Sequence, residues 1–494
     1  MLAIACKSAP VGDTTPILPP AVAPPVQLAA VENGLLPPVT ITGVDLRMTV
    51  TQRLAHHGVP AIGVAVIDHG AVHWARTWGV LGRDPDHAAI AADAETRFQA
   101  ASISKPVTAV AVLRLVEQHR LELDADVDRY LTSWKLPAHA KPVTIRQLLS
   151  HTAGLNAPEQ TAYFRPDGTF SGYAHGAPLP TTTQILNGSK PAISETVGFL
   201  ADADGSFRYS GGGYTVLQQV IEDVTAMPFA DAMRTLVLEP VGMTHSTFAT
   251  EPGTGNVARA HTAAGEAVEG GWIVVAEKSI GGLWTTPHDL ALLLTHLMAA
   301  ANGESGRVLK PETVKLMVTP VANARPMIGA SIGLGLFVSD DGGELMFSHN
   351  GHNPGFHATM AAMPAQGRGF VIMINREAGG AITGEMMLAI GAIYEWPARA
   401  GVRARNRELV DVAPTVFAAA AGSYQGFGFR VAVRADGSKL FGTIDARPEA
   451  RLYPIGASDF VDPYTGLVFA FRLEGDRAIS VTLDGRHEAQ RATE

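Results

Sequence analysis

The stretch Ser102-Ile103-Ser104-Lys105 decides how this chain is interpreted. It lies where an extended segment, residues 96–99, is predicted to turn into a helix that runs to about His119. A lysine three positions after a serine returns to the same helix face one turn later, which places an amine beside a hydroxyl. That pair is the minimum needed to make serine a nucleophile. By itself, the tetrapeptide also fits a serine helix cap followed by a solvated lysine.

Composition limits the remaining possibilities. The chain has 494 residues, of which 46% are hydrophobic and 17% charged, so we expect two or three domains with large cores. The formal net charge of −9 argues against nucleic acid as a partner. No apolar run reaches the roughly 18 residues of a membrane-spanning helix.

The chain has a single cysteine, Cys6, so it can form no internal disulfide and no cysteine-rich metal site. Residues 2–6 resemble the end of a bacterial lipoprotein signal, although a charged n-region and a full apolar core are missing. Either the start codon is assigned too late or the likeness is accidental. The first interpretation predicts a periplasmic or membrane-anchored protein with a lipid on Cys6, and the second allows a cytoplasmic one.

The order of elements predicts the architecture. Residues 1–43 are rich in proline and are predicted to be a tether without a core. In residues 44–400, strands occur near both ends and amphipathic helices between them, starting with a hairpin around Asp68-His69-Gly70. This pattern predicts an α+β fold: an antiparallel sheet closed by distant segments, sandwiched with helices, and a helical lobe across a cleft. Residues 401–414 are predicted to be a linker, and residues 415–494, with short alternating strands, a small all-β barrel.

Several further motifs accompany the serine and the lysine in residues 45–400. They are Ala101 to Pro106, Val143 to Leu155 (VTIRQLLSHTAGL), Phe207 to Tyr214 (FRYSGGGY), Gly281 to Leu290 (GGLWTTPHDL) and His349-Asn350-Gly351-His352. In this order and spacing the block resembles the β-lactamase-related serine hydrolases, the superfamily of class C β-lactamases, D-stereospecific peptidases and family VIII carboxylesterases. The carboxy-terminal barrel is similar to the lipocalin-like barrel of some peptidases in this superfamily, where it would cover the cleft, contact a subunit or select substrates.

The resemblance implies roles for these residues. Ser102 would be acylated, and Lys105, when neutral, or Tyr209, as tyrosinate, would act as the base; the sequence does not decide between them. The backbone N–H groups of Ser102 and His352 would form the oxyanion hole. The substrate-binding residues would be His349, Asn350, Gly351 and Gly211.

Two departures from the family's motifs affect the substrate. Gly211 replaces the asparagine of the common Tyr-x-Asn motif, and His349 replaces the lysine of Lys-Thr-Gly. A permanent cation has thus become a titratable imidazole. Both changes predict weak or no β-lactamase activity and favour esters, amides or D-amino-acid peptides.

Two other patterns are given no function. Residues 329–333 (GASIG) spell the nucleophile elbow of α/β-hydrolases, but the neighbouring sequence lacks the strand and helix that this motif needs. His349, His352 and His357 lie close together without a cysteine or carboxylate nearby in the sequence, so we predict no metal and no cofactor.

The chain is therefore predicted to be a serine hydrolase of the carboxylesterase or D-aminopeptidase/carboxypeptidase type, acting on a small ester, amide or D-amino-acid peptide. The alternative is a non-catalytic binding or scaffold protein of the same fold, for example a sensor of cell-wall fragments. The sequence predicts no oligomeric state.

Overall fold

The main sheet takes its strands from both ends of the hydrolase-like block. The computed structural model describes residues 25–138, 141–165, 170–200, 204–339, 343–396, 404–445 and 449–492. Cys6 and most of the proline-rich segment lie outside these ranges. Across the described residues, we find no helix with both the length and the apolar character required to cross a bilayer.

Twenty strands form in the described residues. They are β1 (Val39–Ile41), β2 (Ala61–Asp68), β3 (Ala71–Gly79), β4 (Phe98–Gln99), β5 (Trp284–Thr285), β6 (Ala322–Asn323), β7 (Ser331–Ile332), β8 (Phe337–Ser339), β9 (Met346–Asn353), β10 (Phe356–Met363), β11 (Arg368–Ile374), β12 (Arg405–Arg407), β13 (Gly422–Gly426), β14 (Arg430–Asp436), β15 (Lys439–Ile444), β16 (Ala450–Pro454), β17 (Asp459–Val461), β18 (Val468–Glu474), β19 (Arg477–Leu483) and β20 (His487–Arg491).

Fifteen α-helices accompany them in the same part of the chain. They are α1 (Val26–Glu32), α2 (Val50–His57), α3 (Ser104–Glu117), α4 (Ile145–Leu149), α5 (Glu159–Tyr163), α6 (Thr182–Leu186), α7 (Gly211–Thr225), α8 (Phe229–Met233), α9 (Glu239–Val241), α10 (Lys278–Gly281), α11 (Pro287–Ala301), α12 (Pro311–Met317), α13 (Arg325–Ile328), α14 (Gly380–Ile393) and α15 (Pro414–Ala420).

The main sheet has eight antiparallel strands in the order β3-β2-β11-β10-β9-β8-β7-β6. β2 lies inside it and is buried on both faces, which explains its continuous apolar sequence. Ile62, Val64 and Val66 face a core shared with α2 and α14, whereas Ala61 and Ala65 face the core that contains α3 and α11. The alternation separates two cores and confirms the predicted antiparallel sheet, its hairpin and the helices packed on it.

The barrel is closed. Strands β13 to β20 are joined in order, and β13 pairs with β20. Alternate side chains such as Leu440, Phe460, Phe469 and Val481 fill the interior. Closure leaves no strand edge exposed for pairing with another chain. The predicted all-β domain is confirmed.

The predicted tether was wrong from residue 25 onward. Leu28 and Val31 of α1 are buried with the side chains of α14. β1 pairs in parallel with β12, and its Val39 and Ile41 pack against Tyr453 of the barrel. Prolines flank residues 26–36, but this stretch contains none, and its apolar residues have the spacing of a helix. Burying two such side chains contributes roughly 1.5–3 kcal/mol each.

The predicted linker was also wrong in part, because β12 lies within residues 401–414. Its backbone hydrogen bonds to β1 connect the segment that precedes the barrel to residues 39–41. A polar sequence such as Arg405-Asn406-Arg407 carries no apolar periodicity, so the strand depends on its partner and could not be recognised locally.

A buried ion pair joins α2, α14 and the barrel. Arg53 donates to both carboxylate oxygens of Glu385, at 2.7 and 2.5 Å, and the two residues are 1% and 2% exposed. Tyr464, from the loop after β17, covers the guanidinium with its ring centroid 4.4 Å away. Breaking such a pair is costly because it leaves a charge buried, here with His57, whose Nε2 is 3.0 Å from Glu385 Oε1, as the remaining partner.

We therefore expect Arg53→Met to lower the free energy of unfolding by about 3–5 kcal/mol, measured by urea denaturation. Arg53→Met combined with Glu385→Leu should recover most of that loss. The matched control is Arg129→Met, which removes an ion pair whose partners are about two-thirds exposed and should cost less than about 1 kcal/mol. Equal effects in the two single variants would contradict this account.

Candidate active site

Ser102 lies in a tight turn, residues 101–103, between β4 and α3. The preceding residue, Ala101, has φ of 50°, in the left-handed region that a residue with a side chain rarely adopts. Holding it there costs of order 1–3 kcal/mol and requires support from the surroundings. The turn places Ser102 on the wall of a cavity of about 400 Å³.

Lys105 follows Ser102 one turn later, as the spacing predicts. Its Nζ is 3.0 Å from Ser102 Oγ and donates to the carbonyl oxygen of Ile280 at 3.2 Å. The residue is only 2% exposed. The cap interpretation of the tetrapeptide is therefore wrong for the lysine, which is buried against the serine and is not solvated.

Tyr209 faces the same two residues from the start of α7. Its ring centroid lies 4.8 Å from Lys105 Nζ, and it lines the cavity. The following residue, Ser210, caps the helix by accepting from Gly213 N–H at 3.0 Å and donates to Asn156 O at 2.7 Å. These bonds fix the backbone that carries the phenol.

Two neutral histidines flank Tyr209. The His151 and His349 ring centroids lie 4.5 and 6.5 Å from that of Tyr209. Burial, together with the nearby Lys105, lowers the pKa of His349 to about 3 and that of His151 well below its usual value. His151 Nδ1 accepts from Ser210 N–H, so its proton is on Nε2, whereas His349 Nδ1 donates to Asn350 O. Neither ring adds positive charge beside Lys105 near neutral pH.

The expectation that His349 is a titratable substitute for the family lysine was therefore wrong. The ring is 1% exposed and stacks on Phe337 with centroids 5.0 Å apart. It cannot pair with a substrate carboxylate. His151 lies 58 positions before Tyr209, so no local pattern predicted that its ring would contact the tyrosine.

The strand β9 brings the other half of the site. A side chain at Gly351 would overlap the carbonyl oxygen of Ala100, directly before the strained turn. Glycine is thus required for the strand to approach the nucleophile segment. The next residue, His352, lines the cavity together with Ser102, so the two residues predicted to form the oxyanion hole lie at one site.

The predicted substrate-binding residues are placed differently. His349, Asn350, Gly351 and Gly211 are not among the residues that line the cavity in the described structure. Asn350 is exposed on β9 and accepts from Thr359 Oγ1 at 2.7 Å. Their contact with substrate stays a prediction.

Sequence reasoning missed one wall of the cavity. Glu159, Gln160, Tyr163 and Phe164 contribute it, from α5 and the residue after it. The segment is short and begins soon after the Val143 to Leu155 motif, but none of its residues belongs to a recognised motif, so no local pattern marked it. The full lining is Ser102, Lys105, Glu159, Gln160, Tyr163, Phe164, Tyr209, Val275, Ile280, Gly281, His352, Asn353 and Pro354.

A buried carboxylate holds this wall in place. The hydroxyl of Tyr163 donates to Glu277, which also accepts from Ser194 Oγ at 3.2 Å. Burial raises the pKa of Glu277 and raises that of Tyr163 well above its usual value. Tyr163 therefore remains protonated, and its hydroxyl is already engaged in the wall.

His352 of β9 and His357 of β10 have a carboxylate neighbour that the sequence did not reveal. His352 Nε2 is 2.6 Å from Glu377 Oε1, and His357 Nε2 is 2.8 Å from Glu377 O. The two imidazoles stack in parallel with centroids 4.4 Å apart. Parallel rings do not converge on a common point, so these contacts describe a hydrogen-bonded cluster better than a tetrahedral ligand set.

The GASIG segment is a chance match. Ser331 begins the two-residue strand β7, which pairs with β6 and β8. A nucleophile elbow needs a strand before the serine and a helix after it, whereas here α13 precedes Ser331 and β8 follows it.

The comparison with protein families agrees with this geometry. A family model described as Beta-lactamase matches residues 46–390. The chain belongs to the β-lactamase family. The resemblance seen in the motifs, and the fold expected from it, are thus confirmed for the block that contains Ser102, Lys105 and Tyr209.

Curated relatives extend this family assignment. Protein flp of Staphylococcus aureus strain N315 is 23% identical over 329 residues, which cover 64% of this chain and 60% of that protein. The chain thus spans three-fifths of that relative's length. Esterase EstB of Burkholderia gladioli is 34% identical over 191 residues, covering 36% of this chain and 44% of the esterase.

Solved structures show the same fold. An octameric penicillin-binding protein homologue from Pyrococcus abyssi has a TM-score of 0.60 at 22% identity, covering 89% of this chain and 98% of that one. D-amino acid amidase from Ochrobactrum anthropi SV3 has a TM-score of 0.55 at 19% identity, covering 74% and 98%. At these identities the likeness concerns the fold alone.

The close approach of β9 in this β-lactamase-family protein gives a steric prediction. Gly351→Ala should displace either the strand or the turn before Ser102 and lower the rate of covalent labelling by a fluorophosphonate at least about tenfold. Gly384→Ala is the control, because a Cβ at that helical glycine meets open space. A Gly351→Ala protein that labels at the wild-type rate would show that the approach is unimportant for the site.

Proposed function

We propose that this β-lactamase-family protein is a serine hydrolase that cleaves esters or amides through an acyl-enzyme at Ser102. The observation that carries the proposal is the 3.0 Å contact between Lys105 Nζ and Ser102 Oγ inside a cavity that Tyr209 also lines. A hydroxyl, an amine and a phenol at one place match the requirements of nucleophilic catalysis.

In the proposed acylation step, Ser102 Oγ forms a bond to the substrate carbonyl carbon. Its proton passes to the neutral amine of Lys105, or to Tyr209 as tyrosinate through that amine. The carbonyl oxygen becomes an oxyanion, which the backbone N–H groups of Ser102 and His352 would stabilise. When the intermediate collapses, the C–O or C–N bond breaks and the leaving group takes the proton.

Deacylation reverses the roles. A water molecule enters the cavity, gives a proton to the same base and attacks the acyl carbon. The bond to Ser102 Oγ then breaks and the serine recovers its proton. Because burial keeps His151 and His349 neutral, neither imidazolium competes as a proton donor near neutral pH.

Ester and amide substrates are favoured over β-lactam antibiotics. The neutral His349 offers no positive charge to a β-lactam carboxylate, and the cavity instead contains the carboxyl group of Glu159. The relatives and structural neighbours named above include an esterase and a D-amino acid amidase, which supports either substrate type.

The experiment that tests the hydrolase proposal is covalent labelling of the full chain with a fluorophosphonate. Wild-type protein should be labelled and Ser102→Ala should not, because only the Ser102 hydroxyl is activated by Lys105. Labelling of neither protein would favour a scaffold that binds without turnover. Equal labelling of both would place the nucleophile elsewhere.

A panel of p-nitrophenyl esters, D-amino-acid amides and a chromogenic cephalosporin then defines the reaction. We expect hydrolysis of at least one ester or amide, and weak or no cleavage of the cephalosporin. Rapid cephalosporin cleavage would contradict the role given to the neutral His349.

Lys105→Ala and Tyr209→Phe should each lower kcat by at least about a hundredfold while the protein remains folded, because each removes a group that moves the proton. The controls are Lys315→Ala, at an exposed position of α12, and Tyr130→Phe, whose hydroxyl accepts from Glu122 N–H away from the cavity. A wild-type kcat in Lys105→Ala or Tyr209→Phe would remove that residue from the mechanism.

A further inference from the structure

We propose that Glu159 binds the ammonium group of the substrate's acyl part, so that the enzyme prefers amides and esters of amino acids whose amino group is free. The inference rests on the proposed hydrolase function, because it assigns a substrate class to the same cavity. Glu159 belongs to none of the motifs that mark the family in this sequence.

The position of the carboxyl group is the first argument. Glu159 lines the cavity together with Ser102 and Lys105. A Cβ atom at Gly211 would overlap both carboxylate oxygens of Glu159. The glutamate thus occupies the space that a side chain at residue 211 would need, at the position where the family commonly has asparagine. The asparagine side chain that is missing at Gly211 is therefore replaced by the carboxylate of Glu159, which comes from a distant segment of the chain.

The contacts of the carboxyl group are the second argument. The backbone N–H groups of Gly211 and of Glu159 itself donate to it. They fix its position, but they bring no full positive charge. Among the described residues no arginine, lysine or histidine forms an ion pair with it, although Lys105 attracts it from a greater distance.

The electrostatic state of the group follows from these contacts. Burial, which outweighs the attraction of Lys105, raises the pKa of Glu159 to about 7, with a smaller contribution from the nearby Glu277. The negative charge of the Glu159 carboxylate is therefore incompletely compensated by the groups around it. An ammonium group would supply the missing charge and form a charge-assisted hydrogen bond.

The rest of the cavity suits such a ligand. His151 and His349 are neutral and do not repel an ammonium group. The basic side chains that line the cavity are Lys105 and His352, of which His352 is paired with Glu377. Phe164, Val275 and Pro354 provide apolar surface for a side chain. In an amino-acid amide the amino group is attached one carbon from the scissile carbonyl, so a ligand that reaches Ser102 with its carbonyl carries its charge nearby.

The alternative role for the Glu159 carboxyl is that of a hydrogen-bond donor. In its protonated form it would donate to a substrate carbonyl, as an asparagine amide does. The two possibilities predict opposite ligand preferences. An ammonium site favours the free amine over its N-acetyl derivative, whereas a hydrogen-bond donor favours the N-acetyl derivative with its additional carbonyl.

Binding is measured by calorimetry on the full chain carrying Ser102→Ala, so that no turnover interferes. The probes are D-alaninamide and N-acetyl-D-alaninamide. We expect the Ser102→Ala protein to bind D-alaninamide more tightly, and the addition of Glu159→Gln to reduce the ratio of the two affinities at least about tenfold. Glutamine keeps the size of the side chain and can still accept from Gly211 N–H. Glu304→Gln, at an exposed position in the turn after α11, is the matched control and should leave the ratio unchanged.

Two outcomes overturn the proposal: an unchanged ratio in Glu159→Gln, including an equal loss of affinity for both probes, or no binding of D-alaninamide before Glu159 is changed. An equal loss would mean that Glu159 only maintains the shape of the wall. The binding measurement does not depend on catalysis. A wild-type protein that resists fluorophosphonate therefore refutes the hydrolase proposal separately from the ammonium site.

A second pair of variants tests the placement of the carboxyl group. Gly211→Asn alone should lower the free energy of unfolding, because the new side chain overlaps Glu159. Adding Glu159→Ala should recover much of that stability while the preference for D-alaninamide stays lost. Full stability of Gly211→Asn with an unchanged preference would show that the glutamate does not occupy this space.

Discussion

The site depends on the contact between β9 and the turn that carries Ser102. Gly351 faces the carbonyl of Ala100 so closely that no side chain fits between them, and the next residue of the turn, Ala101, is held in a left-handed conformation. Such a conformation persists only where the surrounding structure enforces it. The strand supplies that support and also brings His352 to the nucleophile. The contact between β9 and this turn therefore both positions the serine and assembles the site.

A second constraint is that the two histidines near the buried Lys105 carry no positive charge. Lys105 is almost fully buried, and the two imidazoles on either side of Tyr209 are kept neutral by burial and by the lysine itself. Their tautomers are fixed by backbone partners, so they provide polar but uncharged walls. In this setting the carboxyl group of Glu159 lines the cavity, and we propose that it selects a ligand with an ammonium group. A cavity with neutral imidazoles nearby and a carboxyl group in its wall differs from one in which a permanent cation binds a substrate carboxylate.

Local patterns predicted what depends on local rules. The hairpin at Asp68-His69-Gly70 follows from turn chemistry. Patterns failed where an element depends on a distant partner. The strand Arg405–Arg407 has no apolar periodicity and forms because Val39–Ile41 pairs with it. The helix Val26–Glu32 was obscured by the prolines around it, although its apolar side chains pack into the core shared with α2 and α14.

The sequence by itself determined the family, the antiparallel sheet with its helices, the barrel, and the serine, lysine and tyrosine of the site, because each is written as a spacing or a motif. Only the tertiary structure decided that His349 is buried and uncharged, that His151 touches Tyr209, and that Glu159 fills the space beside Gly211. Charge state and ligand preference depend on burial and on which distant segments meet. Those are properties of three-dimensional packing, and no stretch of sequence contains them.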